Sequence, residues 1–169
     1  AEIFEKAAAA VSDARETVPP STLQVLSCSN EAAGLAVADP RIATLSFTGS
    51  TTVGWMLQEK AIRKKVALEL GGNASVIIHR DADIARAAAR CAFGAFAYAG
   101  QVCISVQKIL VHKDVFGAFR DLLLAETRKV VSGDPAKKET LVGPMIDSKA
   151  AERLMSWIEE AKKEGAQVV

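Results

Sequence analysis

Cys103 stands in the run Gly100-Gln101-Val102-Cys103, a glycine-containing turn between a helix-forming and a strand-forming stretch. A thiol on such a loop can be exposed, and as the thiolate it is a nucleophile. The competing reading is a small buried hydrophobe, the commoner fate of an isolated cysteine. Placement between a glycine and a strand is poor core geometry and weighs against it. Cys28, in a strand-like run, and Cys91, on an apolar helix face, are read as core residues. Glu69 lies in Leu68-Glu69-Leu70-Gly71-Gly72. A carboxylate at a strand's end between apolar neighbours, if partly buried, is a usable general base; a solvent-facing Glu on an alternating strand fits the same letters. The third element is SFTGSTTVG, residues 46–54. A glycine turn running into a helix presents backbone N–H groups and the positive end of the helix dipole, which suits a pyrophosphate. Ser50 and Thr51 add hydroxyls, although a Ser or Thr before a helix is more often only its cap. The run is neither a Walker A loop nor a full G-x-G-x-x-G.

The elements that position these residues alternate between β-rich and helical stretches. Residues 1–15 read as a helix, and Pro19 and Pro20 end any helix before them. Residues 22–27 (TLQVLS) look like a strand, and Asn30 caps a short helix broken by Pro40. Residues 42–47 form a strand, followed by a helix to about Ile62, and residues 65–70 form another strand. This βαβαβ rhythm argues for a parallel, doubly wound sheet with its ligand at the carboxyl ends of the strands. Beyond Gly72, residues 75–79 are strand-like. Asp81 caps a long helix whose apolar face carries Ile84, Ala88, Cys91, Ala92 and Ala95. A strand at 109–112 and helices at 115–131 and 149–164 follow, the last with a Glu159–Lys163 pair and Gly165 as its stop. Residues 167–169 begin a strand.

Composition narrows the classes. With 169 residues, 50% hydrophobic and 24% charged, and a net charge of +1, this is an ordinary globular sequence. That charge gives no reason to expect nucleic acid or an anionic membrane as partner. No apolar stretch reaches the roughly 18–20 residues of a membrane span, and the residues at the start of the chain do not read as a signal peptide, so none is expected. The cysteine count is three, with no C-x-x-C, so neither a disulfide framework nor a zinc site is expected and a reducing cytoplasm fits. His79 and His112 are too few and too far apart in sequence to suggest a metal.

Taken together, SFTGSTTVG, LELGG followed by DADI, and GQVCISVQK resemble the nucleotide-binding, general-base and nucleophile motifs of the aldehyde dehydrogenases. They occur in that family's order, with Cys103 lying 34 residues after Glu69, and GPMID at 143–147 resembles a further family stretch. The resemblance spans nearly the whole chain. At Asn73-Ala74-Ser75 many members carry Lys-Ser-Pro or Asn-Ala-Pro, a departure that touches no chemistry.

The resemblance implies an interior piece of an NAD(P)-dependent aldehyde dehydrogenase. Its fold is an incomplete doubly wound, Rossmann-like parallel sheet followed by the first part of a second α/β domain. Residues 1–71 would be the remainder of the cofactor domain, and residues 72–169 the first part of the catalytic domain. Cys103 would attack the aldehyde, and Glu69 would activate the water that hydrolyses the resulting thioester. Gly49 and Ser50 would approach the pyrophosphate of NAD or NADP, Val53 the adenine, and Leu70 and Gly71 the nicotinamide; Val102 and Ile104 would touch substrate. The partner is a small-molecule aldehyde, and the full-length enzyme a cytoplasmic homo-oligomer that binds neither nucleic acid nor membrane. In the family an upstream asparagine shares the oxyanion with the backbone N–H of the cysteine. This chain begins after that position, so alone it is expected to turn over poorly. Two alternatives stand beside this: a catalytically silent fragment, and a CoA-acylating enzyme, which Glu69 disfavours.

Overall fold

The structure, a computed structural model, describes residues 2–11 and 22–169. The chain divides into two compact units, Ala1–Phe47 with Thr52–Leu68, and Thr48–Thr51 with Glu69–Val169.

The first unit opens on α1, Glu2–Val11, where Lys6 pairs with Glu2 one turn earlier. The expected end of this helix, with Pro19 and Pro20, lies outside the described residues. α2 is Asn30–Ala38, and its cap is Ser29 rather than Asn30: the Ser29 hydroxyl accepts the Ala32 N–H at 3.3 Å. Asp39 closes α2 with its own N–H on the Leu35 and Ala36 carbonyls. The Arg41 guanidinium grips the Asp39 carboxylate, at 2.6 Å for the closest pair, and holds its pKa down to about 2. The Lys64 ammonium donates to the Asp39 carbonyl, tying the end of α2 to the approach to the next strand.

β1 (Thr44–Thr48), α3 (Thr51–Lys60) and β2 (Lys65–Glu69) follow, and β1 and β2 form a two-stranded sheet. Lys65 N–H bonds the Ala43 carbonyl where the strands begin, and Gly49 N–H bonds the Glu69 carbonyl where they end. The strands therefore run parallel, as the crossover through α3 requires. Along β1, Leu45 and Phe47 turn to the more buried side; along β2, Val66 and Leu68 do. Residues 22–27 belong to neither sheet, contrary to their alternating pattern. Such a pattern becomes a strand only where a neighbour supplies a ladder, and Val25 and Leu26 stay exposed.

The second unit holds β3 (Ala74–Ile78), α4 (Ile84–Phe96) and β4 (Val106–Val111), again a parallel βαβ unit, in register Val76↔Ile109 and Ile78↔Val111. The cap of α4 is Asp83, whose carboxylate accepts the Arg86 N–H. Asp81 instead bonds the His79 ring, which lowers the pKa of its carboxyl. The apolar face read from the sequence is the buried one: Ala88, Cys91 and Ala92 lie inside. Ile78, Ala88, Cys91 and Phe119 make the core, with Ile109, Val111 and Leu122 packed around it. Phe119, on α5 (Phe116–Thr127), is fully buried, a contribution of about 1.5–3 kcal/mol. A 3₁₀ turn at Lys113–Val115 occupies the expected start of α5.

α6, Ser148–Lys163, is capped by Asp147 through the Ala150 N–H at 2.7 Å. Gly165, at φ 96°, stops it; its N–H and that of Ala166 return to the Lys162 and Ala161 carbonyls, a Schellman closure. Glu159 pairs with Lys162 rather than Lys163, one residue short of the expected spacing. Residues 167–169 are not in a strand. Two parallel βαβ units make this a mixed α/β, Rossmann-like fold, incomplete as a doubly wound sheet. Among the described residues no helix is long and apolar enough to cross a membrane.

Candidate active site

Cys103 is exposed and sits second in a tight turn of residues 102–105, closed by the Ser105 N–H on the Val102 carbonyl at 2.9 Å. The chain reaches this turn from α4 through Tyr98, Ala99 and Gly100, all left-handed, at φ 56°, 56° and 69°. For a residue with a Cβ that conformation costs roughly 1–2 kcal/mol. The reversal is held from outside: the Tyr98 N–H bonds the Leu141 carbonyl at 3.2 Å, and the Gln101 N–H and side-chain amide both bond the Tyr98 carbonyl. A Cβ on Gly100 would approach the Ala95 carbonyl to 3.3 Å in a conformation that already favours glycine.

Ser105, which sequence reasoning passed over, is 2% exposed. Its hydroxyl reaches the Gly94 and Ala95 carbonyls, at 3.2 and 3.3 Å, near the end of α4. Carbonyls in the last turn of a helix lack a partner within the helix, and this hydroxyl supplies one. A buried serine cannot be told by its letter from an exposed one, so no signal in the sequence marks it.

Glu69 ends β2 on its exposed face, with Lys65 and Ala67. The partial burial considered for it from its apolar neighbours is absent, because strand alternation turns Leu68 and Glu69 to opposite sides. Its backbone carbonyl accepts the Gly49 N–H at 3.0 Å. Gly72, three residues on, lies against the nucleophile turn: a Cβ there would fall 2.7 Å from the Cys103 carbonyl oxygen. Only a glycine admits that approach without displacement. The backbone thus links all three motifs, the Gly49 turn to Glu69 and the Leu70-Gly71-Gly72 stretch to Cys103. Gly72→Ala is expected to push the Cys103 carbonyl away, costing about 1–3 kcal/mol of stability; thermal unfolding of the variant checks this, and an unchanged melting temperature would contradict the contact.

Gly49 and Ser50 are exposed and lead into the first turn of α3, while Val53 is partly exposed one turn into that helix. The Gly49 N–H itself is committed to the Glu69 carbonyl. Gly71 has open space around its Cα and Leu70 is half-buried. Val102 and Ile104 line an apolar cavity of about 540 Å³ with Val76, Cys91 and Phe93; its lining does not include Cys103. Among the described residues no group of three or more His, Cys, Asp or Glu is placed to hold a metal ion.

The three cysteines differ sharply. Cys91 is buried as expected, and burial pushes its thiol pKa up. Cys28, expected inside, is exposed, since the strand that would have buried it is not formed. Brief iodoacetamide treatment of the native protein is expected to alkylate Cys28 and Cys103 and spare Cys91, as read by peptide mass mapping. Labelling of Cys91 at the rate of Cys103 would contradict the burial.

These features describe a parallel α/β chain with an exposed thiol on a tight turn, against which Gly72, three residues beyond a strand-end glutamate, is packed. The chain belongs to the aldehyde dehydrogenase family, whose model matches residues 1–169. It is 42% identical over 152 residues to a 3-sulfolactaldehyde dehydrogenase of Priestia aryabhattai, a match covering 89% of this chain and 32% of the relative. The crystal structure of an NAD-dependent aldehyde dehydrogenase from Sinorhizobium meliloti superposes with a TM-score of 0.80 at 38% identity, covering 83% of this chain and 28% of that one. An NADP-dependent glyceraldehyde-3-phosphate dehydrogenase from Bacillus halodurans gives 0.76 at 31% identity, covering 81% and 29%. The chain therefore spans about a third of the length of the curated relatives it matches.

Proposed function

We propose that the full-length protein carrying this chain oxidises an aldehyde to a carboxylic acid, with Cys103 as nucleophile and Glu69 as general base. The observation that carries this reading is the contact of Gly72 with the Cys103 carbonyl, which joins the glutamate-bearing strand end to the cysteine turn. The Cys103 thiolate adds to the aldehyde carbon, and the oxyanion so formed accepts from the backbone N–H of Cys103. NAD or NADP, when bound, supplies the hydride acceptor that turns the thiohemiacetal into a thioester. Glu69 takes a proton from water, which attacks the thioester carbonyl; the acid leaves and the Cys103 thiolate is restored.

The exposed turn at Gly49 and Ser50 leads into the start of a helix, a position that suits an anionic phosphate. On the family pattern Gly49 and Ser50 hold the pyrophosphate, Val53 the adenine, and Leu70 and Gly71 the nicotinamide, while Val102 and Ile104 border the aldehyde. The same pattern gives residues 1–71 to the cofactor domain and residues 72–169 to the catalytic domain, in a homo-oligomeric enzyme.

The test is product analysis of the full-length protein with an aldehyde panel and either NAD or NADP. One carboxylate per NAD(P)H is expected, with no increase on adding CoA. An acyl-CoA product, or no reduction of either cofactor, would remove hydrolytic oxidation as the function.

A further inference from the structure

We infer that Ser105 is a positioning residue for the nucleophile, an inference that rests on Cys103 acting as proposed above. Its backbone N–H closes the turn that carries Cys103, on the Val102 carbonyl at 2.9 Å. Its side chain, 2% exposed, hangs that turn from the Gly94 and Ala95 carbonyls at the end of α4. The anchor is itself fixed. Gly94 is in tight contact with Val106, since a Cβ there would lie 3.0 Å from the valine methyl, and α4 is buried through Ala88, Cys91 and Ala92. One residue, Ile104, separates Cys103 from this anchor, and on the other side the chain enters the turn through the left-handed residues 98–100. The Ser105 hydroxyl thus fastens the 102–105 turn to the end of α4. Without it the carbonyls in the last turn of α4 lose their donor and the thiol loses its fixed direction of approach. Misplacement of a reacting group by an ångström is enough to cost about 100-fold in rate.

The test uses the full-length protein in a Glu69→Gln background, where slow hydrolysis isolates the first turnover as a burst of NAD(P)H. The burst amplitude counts folded, competent sites, and its rate constant reports attack and oxidation at Cys103. Ser105→Ala is expected to slow the burst about 10- to 100-fold at retained amplitude. A purely structural role would lower the amplitude and leave the rate constant alone, and that result overturns the inference. Should Ser105→Ala not fold, the isosteric pair Ser105→Thr and Ser105→Val carries the test: the hydroxyl-bearing variant keeps a fast burst and the valine variant a slow one, and equal rate constants overturn the inference. A burst that persists in Cys103→Ala would instead refute the role proposed for Cys103, a failure distinct from that of Ser105.

Discussion

Cys103→Ala in the full-length protein is expected to lower aldehyde oxidation by about 10⁴- to 10⁶-fold, the range seen when a member of a covalent catalytic set is removed. The magnitude follows from the chemistry. Without the thiolate there is no thiohemiacetal, and the aldehyde must be attacked by a far weaker nucleophile. Cys28→Ala serves as the control: that thiol is exposed too, but it lies in the first unit and outside any strand or helix, and its loss is expected to leave turnover unchanged. Steady-state rates of the two variants measure this. A Cys103→Ala protein with near-normal turnover, or a Cys28→Ala protein without any, would move the nucleophile elsewhere.

The second large effect falls on Glu69→Gln. The amide cannot take a proton from water, so hydrolysis of the thioester is expected to slow by about 10²- to 10⁴-fold. Attack by Cys103 and oxidation do not need this carboxylate and continue. The resulting trace is a stoichiometric burst of NAD(P)H followed by a slow steady rate, recorded by stopped flow. The exposure of Glu69 is compatible with this role, since a base that activates water needs access to it. Equal slowing of burst and steady rate would place Glu69 in the first chemical step, and unchanged turnover would remove it from the mechanism.

The β1–α3–β2 unit and the long apolar face of α4 were legible in the sequence because their elements follow local periodicity. The residues at 22–27 carry the same strand-like alternation and form no strand, since a strand also needs a neighbour that no local pattern specifies. Helix caps moved by one or two positions for a related reason. Ser29 stands beside Asn30, and Asp81 stands near Asp83, so each helix start offers two side chains able to accept an N–H, and the backbone's entry angle selects between them. Glu69 and Cys103 were singled out from their residue types and the family resemblance, whereas the contact between their neighbourhoods depends on Gly72, whose letter reads as an ordinary strand stop. Ser105 was invisible because its importance lies in burial, and burial is a property of the folded chain.

The most direct measurement of the central claim is mass spectrometry of the Glu69→Gln full-length protein after mixing with aldehyde and NAD(P) and quenching in acid. Addition of the thiolate and loss of a hydride leave an acyl group on sulfur, so the protein should gain the mass of the aldehyde less two hydrogens. Peptide mapping should place that mass on Cys103. Reduction of the cofactor with no acyl adduct, or with the adduct on Cys28, would contradict the account.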